Sequence, residues 1–99
     1  MLLKPGADIS YLKPPIRKKL NTLDQIVRKI TNSEMVITET RGTGHMPSSL
    51  HYADLAIDIR LPPSNPGLLV NAIKESLGQD YDVILEKDHI HIEYDPKNP

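Results

Sequence analysis

From Ala53 to Arg60 the chain reads ADLAIDIR, the feature that most narrows what it can fold into. Leu55, Ile57 and Ile59 fall on one face by the period of two, and Asp54, Ala56, Asp58 and Arg60 on the other. Such alternation is that of a strand with one apolar face, which is stable only when another layer covers it. With four Tyr and neither Phe nor Trp, that layer must come from Leu, Ile and Val.

Two segments have the right pattern to supply it. Ile16, Leu20, Leu23, Val27 and Ile30 recur at helical spacing, with Arg17, Lys18, Lys19, Arg28 and Lys29 on the wet side. Pro15 suits the first turn, and Asn32 can close the end in a left-handed conformation. A second helix is predicted after LPPSNP, capped by Asn65, with Pro66 at its first position and Gly78 as its stop. Its buried stripe is Leu69, Ala72, Ile73 and Leu77. MVITE, residues 35–39, reads as a short strand, and YDVILEKDHIHIEYD as a β-hairpin turning near Lys87 and Asp88. In its second strand His89, His91 and Glu93 face one way and Ile90, Ile92 and Tyr94 the other. The expected fold is therefore α+β, two helices on a small, mostly antiparallel sheet. It forms one domain over residues 1–99, with residues 1–15 as an extended, proline-containing arm.

Composition narrows the function. A formal charge of −1 supplies no basic field for nucleic acid or an anionic membrane surface, and no stretch is apolar and long enough to insert into a bilayer. The N-terminus MLLKPGADIS lacks the apolar run of a signal peptide, so the expectation is a protein made in the cytoplasm and released to its substrate by other means. With no Cys, any metal must be held by His and carboxylate groups. His51, Asp58, His89 and His91 lie on polar faces or ends of adjacent predicted strands, the ligand types of a catalytic zinc site. Each also has a plainer reading: a solvated strand histidine, or a surface carboxylate paired with Arg60 or a lysine. The loop RGTGHMPSSL, residues 41–50, is long for so small a domain, as functional loops often are.

The run Ser49-Leu50-His51-Tyr52-Ala53-Asp54-Leu55-Ala56-Ile57-Asp58 resembles the S-x-H-x-x-G-x-A-x-D motif of zinc D-Ala-D-Ala carboxypeptidases and L-alanyl-D-glutamate endopeptidases, which share the Hedgehog/DD-peptidase fold. Asp88-His89-Ile90-His91 resembles their second motif, an acidic residue three positions before a zinc histidine. The likeness covers roughly residues 35–94, with the motifs in the family's order and a helix between them. It implies that His51, Asp58 and His91 ligate zinc and that Asp88 is the general base. It further implies that His89 steadies the oxyanion or orients that base, and that Arg41, with help from Ser49, grips a substrate carboxylate. The implied reaction is hydrolysis of peptidoglycan stem peptides, and the implied source is a phage or prophage. His45 and Glu93 stay outside this scheme, Glu93 being either a partner of a histidine or an exposed strand carboxylate.

Two departures keep a second expectation beside the first. The motif's glycine is Asp54, a residue type that tolerates positive φ at some cost, and the 99 residues are few for the family, so that targeting by a separate wall-binding module is not expected. The alternative is a non-catalytic relative that keeps zinc as a structural or binding module.

Overall fold

The computed structural model describes residues 1–41 and 50–96. Its elements are β1 (Leu2–Leu3), α1 (Pro14–Arg17), α2 (Leu20–Thr31), β2 (Val36–Glu39), β3 (Ala56–Arg60), α3 (Pro66–Leu77), β4 (Tyr81–Leu85) and β5 (His89–Tyr94). The α+β architecture is as expected: α2 and α3 back a five-stranded sheet of order β1-β2-β3-β5-β4. Pairings β2–β3, β3–β5 and β5–β4 are antiparallel, but β1 lies parallel to β2, so the sheet is mixed. The parallel edge comes from the N-terminal arm, where the Leu2 N–H donates to the Met35 carbonyl and the Lys4 N–H to that of Ile37. No helix among the described residues is long and apolar enough to cross a membrane.

The first helix starts at the Pro14-Pro15 pair as its composition requires, then tightens at Lys18 and Lys19 before resuming as α2. The Lys19 N–H reaches only the Ile16 carbonyl, a three-residue turn that leaves Ile16 and Leu20 both in the core. Asn32 ends α2 at φ 59, the left-handed closure expected of it. Pro66 opens α3 as expected, but Asn65 makes no side-chain cap. It sits in the left-handed region and its own carbonyl accepts the Leu69 N–H. Val70 joins Leu69, Ile73 and Leu77 in the buried stripe, and Ala72 is half-buried at its margin.

The core lies between the helices and one sheet face, where Ile37, Ile57, Ile59, Ile90 and Ile92 are almost fully removed from solvent. Each such side chain contributes about 1.5–3 kcal/mol relative to exposure. Asp24 ties this layer together: its carboxylate accepts the Met35 N–H and the Arg28 Nε–H, each at 3.0 Å, and the N-terminal ammonium at 3.4 Å.

The strand read from Ala53 begins only at Ala56, because Asp54 adopts φ 62 and breaks the extended backbone. Leu55 is accordingly half-buried rather than part of the core stripe. This break lets the chain turn back over the sheet's second face, the bend that His51 and Asp58 need in order to meet.

Candidate metal centre

Asp58 on β3 lies directly opposite His91 on β5, so the pleat sends both side chains to the face away from the helices. His51 descends onto that face from the turn before Asp54, whose N–H donates to the His51 carbonyl. His51 Nε2 is 3.1 Å from Asp58 Oδ1 and 3.1 Å from His91 Nδ1, and His91 Nδ1 is 3.0 Å from the same Asp58 oxygen. The three donor atoms form a nearly equilateral triangle. His51 is 2% exposed and Asp58 5%, while His91 is half-buried.

The outer contacts of the two rings set their tautomers. His51 Nδ1 is 2.5 Å from the Thr40 carbonyl, which can only accept, so this nitrogen carries the proton and Nε2 of the neutral ring presents a lone pair. His91 Nε2 is 2.6 Å from a carboxylate oxygen of Glu93, so its lone pair is on Nδ1. Two imidazole lone pairs and a carboxylate oxygen thus face one another at 3.0–3.1 Å. They repel unless a cation sits among them, either a metal ion or protons that make the rings imidazolium. An imidazole whose far N–H is held by a carbonyl or carboxylate is the usual setting of a metal-bound histidine. Donors about 2.0–2.1 Å from a tetrahedral ion stand about 3.3–3.4 Å apart, so the triangle needs to widen by only a few tenths of an ångström. His51, Asp58 and His91 can hold a metal ion.

Charge at the site follows the same contacts. Burial pushes the Asp58 carboxyl up, but where protons rather than a metal ion fill the triangle, hydrogen bonds from the His51 and His91 rings outweigh it and hold the group far below the usual carboxylate range. Burial also disfavours charge on His91, yet its bonds to Asp58 and Glu93 raise its pKa overall.

The remaining candidate residues are placed as follows. His89 turns Nε2 towards Asp58 Oδ2 at 3.6 Å and holds Asp88 through Nδ1 at 2.6 Å. The Asp88 side chain is 85% exposed and reaches the triangle only through His89. Its hydrogen bond with His89, reinforced by charge, keeps the Asp88 carboxyl below its ordinary pKa. Arg41 is not directed at the triangle. Its Nε and Nη2 donate to the two Asp54 oxygens at 3.2 and 2.5 Å, and its guanidinium lies 4.8 Å from the centre of the Tyr11 ring. Asp54 therefore combines a left-handed backbone at the motif's glycine position with a clamp on the arginine. Ser49 and His45 lie outside the described residues.

Sequence reasoning did not identify the Thr40 carbonyl, because a backbone acceptor has no residue signature. It also did not identify Lys4, Thr38 and Glu39, which join Asp58, Asp88 and His89 in lining a cleft of about 350 Å³. These three come from the arm and from β2, where a bulge sets Glu39 opposite Asp58. Of the two readings open for Glu93, the hydrogen bond to His91 selects the first. Glu93 also lies in a second acidic group with Asp82 and Asp95.

Fold and site together define an α+β domain with a buried two-histidine, one-carboxylate group able to hold a metal ion. Comparison with protein-family models, with curated proteins and with solved structures finds no match.

Proposed function

We propose that the protein is a zinc-dependent peptidase that hydrolyses peptide bonds in peptidoglycan stem peptides. The observation that carries this reading is the convergence of His51 Nε2, Asp58 Oδ1 and His91 Nδ1, each ring oriented by an acceptor on its far nitrogen. Two nitrogens and one carboxylate oxygen, with a cleft reaching the same aspartate, are the donor set and access of a catalytic zinc site rather than of a closed structural one. A zinc ion held there supplies Lewis acidity, lowering the pKa of water towards about 7 and polarising a carbonyl.

The chain's own groups supply the rest. His51, Asp58 and His91 hold the ion, with Thr40 and Glu93 fixing the rings. Asp88, kept ionised by His89, accepts a proton on the cleft side and returns it to the leaving amine. His89, between Asp88 and Asp58, orients that carboxylate or donates to developing negative charge. The choice of a peptidoglycan peptide rests on the two sequence motifs.

The test combines metal analysis with mass spectrometry of digested cell walls. Purified protein should carry one zinc and release D-alanine or stem-peptide fragments, and Asp88→Ala should keep the zinc while losing turnover. Zinc-loaded protein that yields no product from several wall chemotypes would sink the proposal.

A second reading is favoured by the exposure of Asp88 and by the pairing of Arg41 with Asp54. It is a non-catalytic domain in which the metal serves stability or partner binding. In that case chelation lowers the melting temperature, and Asp88→Ala alters neither stability nor any complex.

A further inference from the structure

The sheet is open along β4. Tyr81–Leu85 is the outermost strand and runs in unbroken antiparallel register with β5, from Tyr81 opposite Tyr94 to Leu85 opposite Ile90. The Asp95 N–H donates to the Asp80 carbonyl at 2.8 Å and the Glu86 N–H to the His89 carbonyl at 2.9 Å. Antiparallel ladders bond every second residue, so Asp80, Asp82, Ile84 and Glu86 turn their main chain towards β5. Val83 and Leu85 turn theirs outward, where these groups have no hydrogen-bond partner among the described residues. The Tyr81 N–H donates to the Gly78 carbonyl at 3.3 Å, which leaves the Tyr81 carbonyl facing out with them.

Lysine, proline and bulges commonly close such an edge, and Tyr81–Leu85 has none of them. Ile84 and Leu85 are instead 42% and 46% exposed. Beside the strand, the end of α3 leaves a groove of about 620 Å³, lined by Lys74, Glu75 and Gly78 and by Tyr81, Val83 and Ile84. That volume is in the range of ligand sites.

Charge selects the occupant. From Gln79 to Asp88 the chain has four acidic residues and one lysine. Asp80 and Glu86 flank the strand, both exposed and in no ion pair among the described residues. A second copy pairing about a two-fold axis meets like charges wherever the axis falls in mid-strand. Centred on Val83, Asp80 of one copy lies opposite Glu86 of the other; centred on Asp82, that residue faces itself; centred on Ile84, Asp82 faces Glu86. Like charges directly opposite are destabilising, whereas an extended chain with cations at those places is attracted.

We propose that the β4 edge binds an extended segment of a partner protein as an added strand. Its aliphatic side chains lie against Tyr81, Val83 and Leu85, and a lysine or arginine stands opposite each of Asp80 and Glu86. The site is separate from His51, Asp58 and His91 and does not rest on the peptidase reading.

The experiment titrates the full chain with the N-acetylated, C-amidated heptapeptide Lys-Val-Thr-Val-Thr-Val-Lys, following amide chemical shifts by NMR. Its two lysines fall opposite Asp80 and Glu86 when its central valine faces Val83. Shifts should centre on Val83 and Leu85. N-methylation of the central valine, whose N–H points at β4, should weaken binding about tenfold, and N-methylation of a threonine, whose N–H points away, by less than about twofold. Replacing either lysine by glutamate should weaken binding about fivefold, the upper range for an exposed ion pair. The double variant Asp80→Lys/Glu86→Lys changes only exposed side chains and should prefer the doubly glutamate-substituted peptide. No binding, shifts centred elsewhere, equal tolerance of the two N-methylations, or an unreversed preference in a double variant with a folded spectrum would overturn the proposal. Dilution-dependent shifts along β4 in the free protein would also overturn it, by making a second copy the occupant.

Discussion

Asp58 and Ile59 are neighbours on β3 and almost equally hidden, at 5% and 1% exposure, yet they are buried for opposite reasons. Ile59 enters an aliphatic layer where removal from water is itself the stabilising force. Asp58 loses hydration that only specific partners can replace, and two imidazole nitrogens face its Oδ1 at 3.0–3.1 Å. One face of the strand stabilises the fold whatever else is present. The other is balanced only when a cation joins it, so stability on that side is coupled to ligand.

Substitutions can test this contrast, and the largest effect is expected on the helix side. Ile57→Ala should lower unfolding free energy by about 2–5 kcal/mol, the range for a large-to-small change in a packed core. The loss in urea unfolding should be the same with and without a chelator. A chelator-dependent loss would mean that the two faces are not independent.

On the polar face, zinc at one hundred times its dissociation constant should stabilise the protein by about 2.7 kcal/mol, and His91→Ala should remove that gain. Stabilisation surviving in His91→Ala would move the ion elsewhere, with Asp82, Glu93 and Asp95 the first group to examine. Because its bonds to Asp58 and Glu93 outweigh burial and raise the His91 pKa, protons would compete with any metal ion held there from above the ordinary histidine range. Calorimetric affinity for zinc should therefore fall steadily as pH drops towards 6.

Asp24→Asn probes the helix side by charge rather than by volume. Burial raises the pKa of Asp24, but hydrogen bonds from Met35 and Arg28 lower it further, leaving a net depression. A depressed carboxylate contributes stability above its unfolded pKa of about 3.9 and loses it as pH falls through the lower folded value. Asp24→Asn should cost about 1–3 kcal/mol at neutral pH and flatten the decline in stability below pH 4. An unchanged acid limb in thermal melts from pH 7 to 2 would assign that decline to other carboxylates.

The smallest effect is expected at Asp54. Glycine there relieves the left-handed backbone and forfeits a partly exposed ion pair, two terms of opposite sign near 1 kcal/mol. Asp54→Gly should therefore change stability by less than about 1 kcal/mol, whereas Asp54→Ala loses the pair without relieving the backbone and should cost about 1–2 kcal/mol. A large loss in Asp54→Gly would show that the Arg41 clamp, rather than backbone freedom, holds the turn above the site.

Wherever local chemistry decides, the fold could be read from the chain. Asn32 and Gly78 end their helices, Pro14-Pro15 and Pro66 begin them, and Lys87-Asp88 turns the hairpin. The site was legible in part for the same reason. Alternation alone puts Asp58 and His91 on polar faces, and an absence of Cys leaves imidazole and carboxylate as the donors. The parallel edge from Leu2–Leu3 was not legible, since two residues show no period and a backbone pairing leaves no mark on their identity. The pairing of Arg41 with Asp54 was not legible either, because it links a strand end to a turn 13 residues away.

By itself the sequence determined which residues lie in and out, where the helices and the hairpin stop, and which ligand types are on offer, because periodicity and dihedral preference act over a few residues. Only the tertiary structure decided that Asp58 stands opposite His91, that His51 descends between them, and that Lys4 reaches the same cleft. Those outcomes depend on strand register and on a single left-handed residue at Asp54, whose effect is felt where distant segments meet.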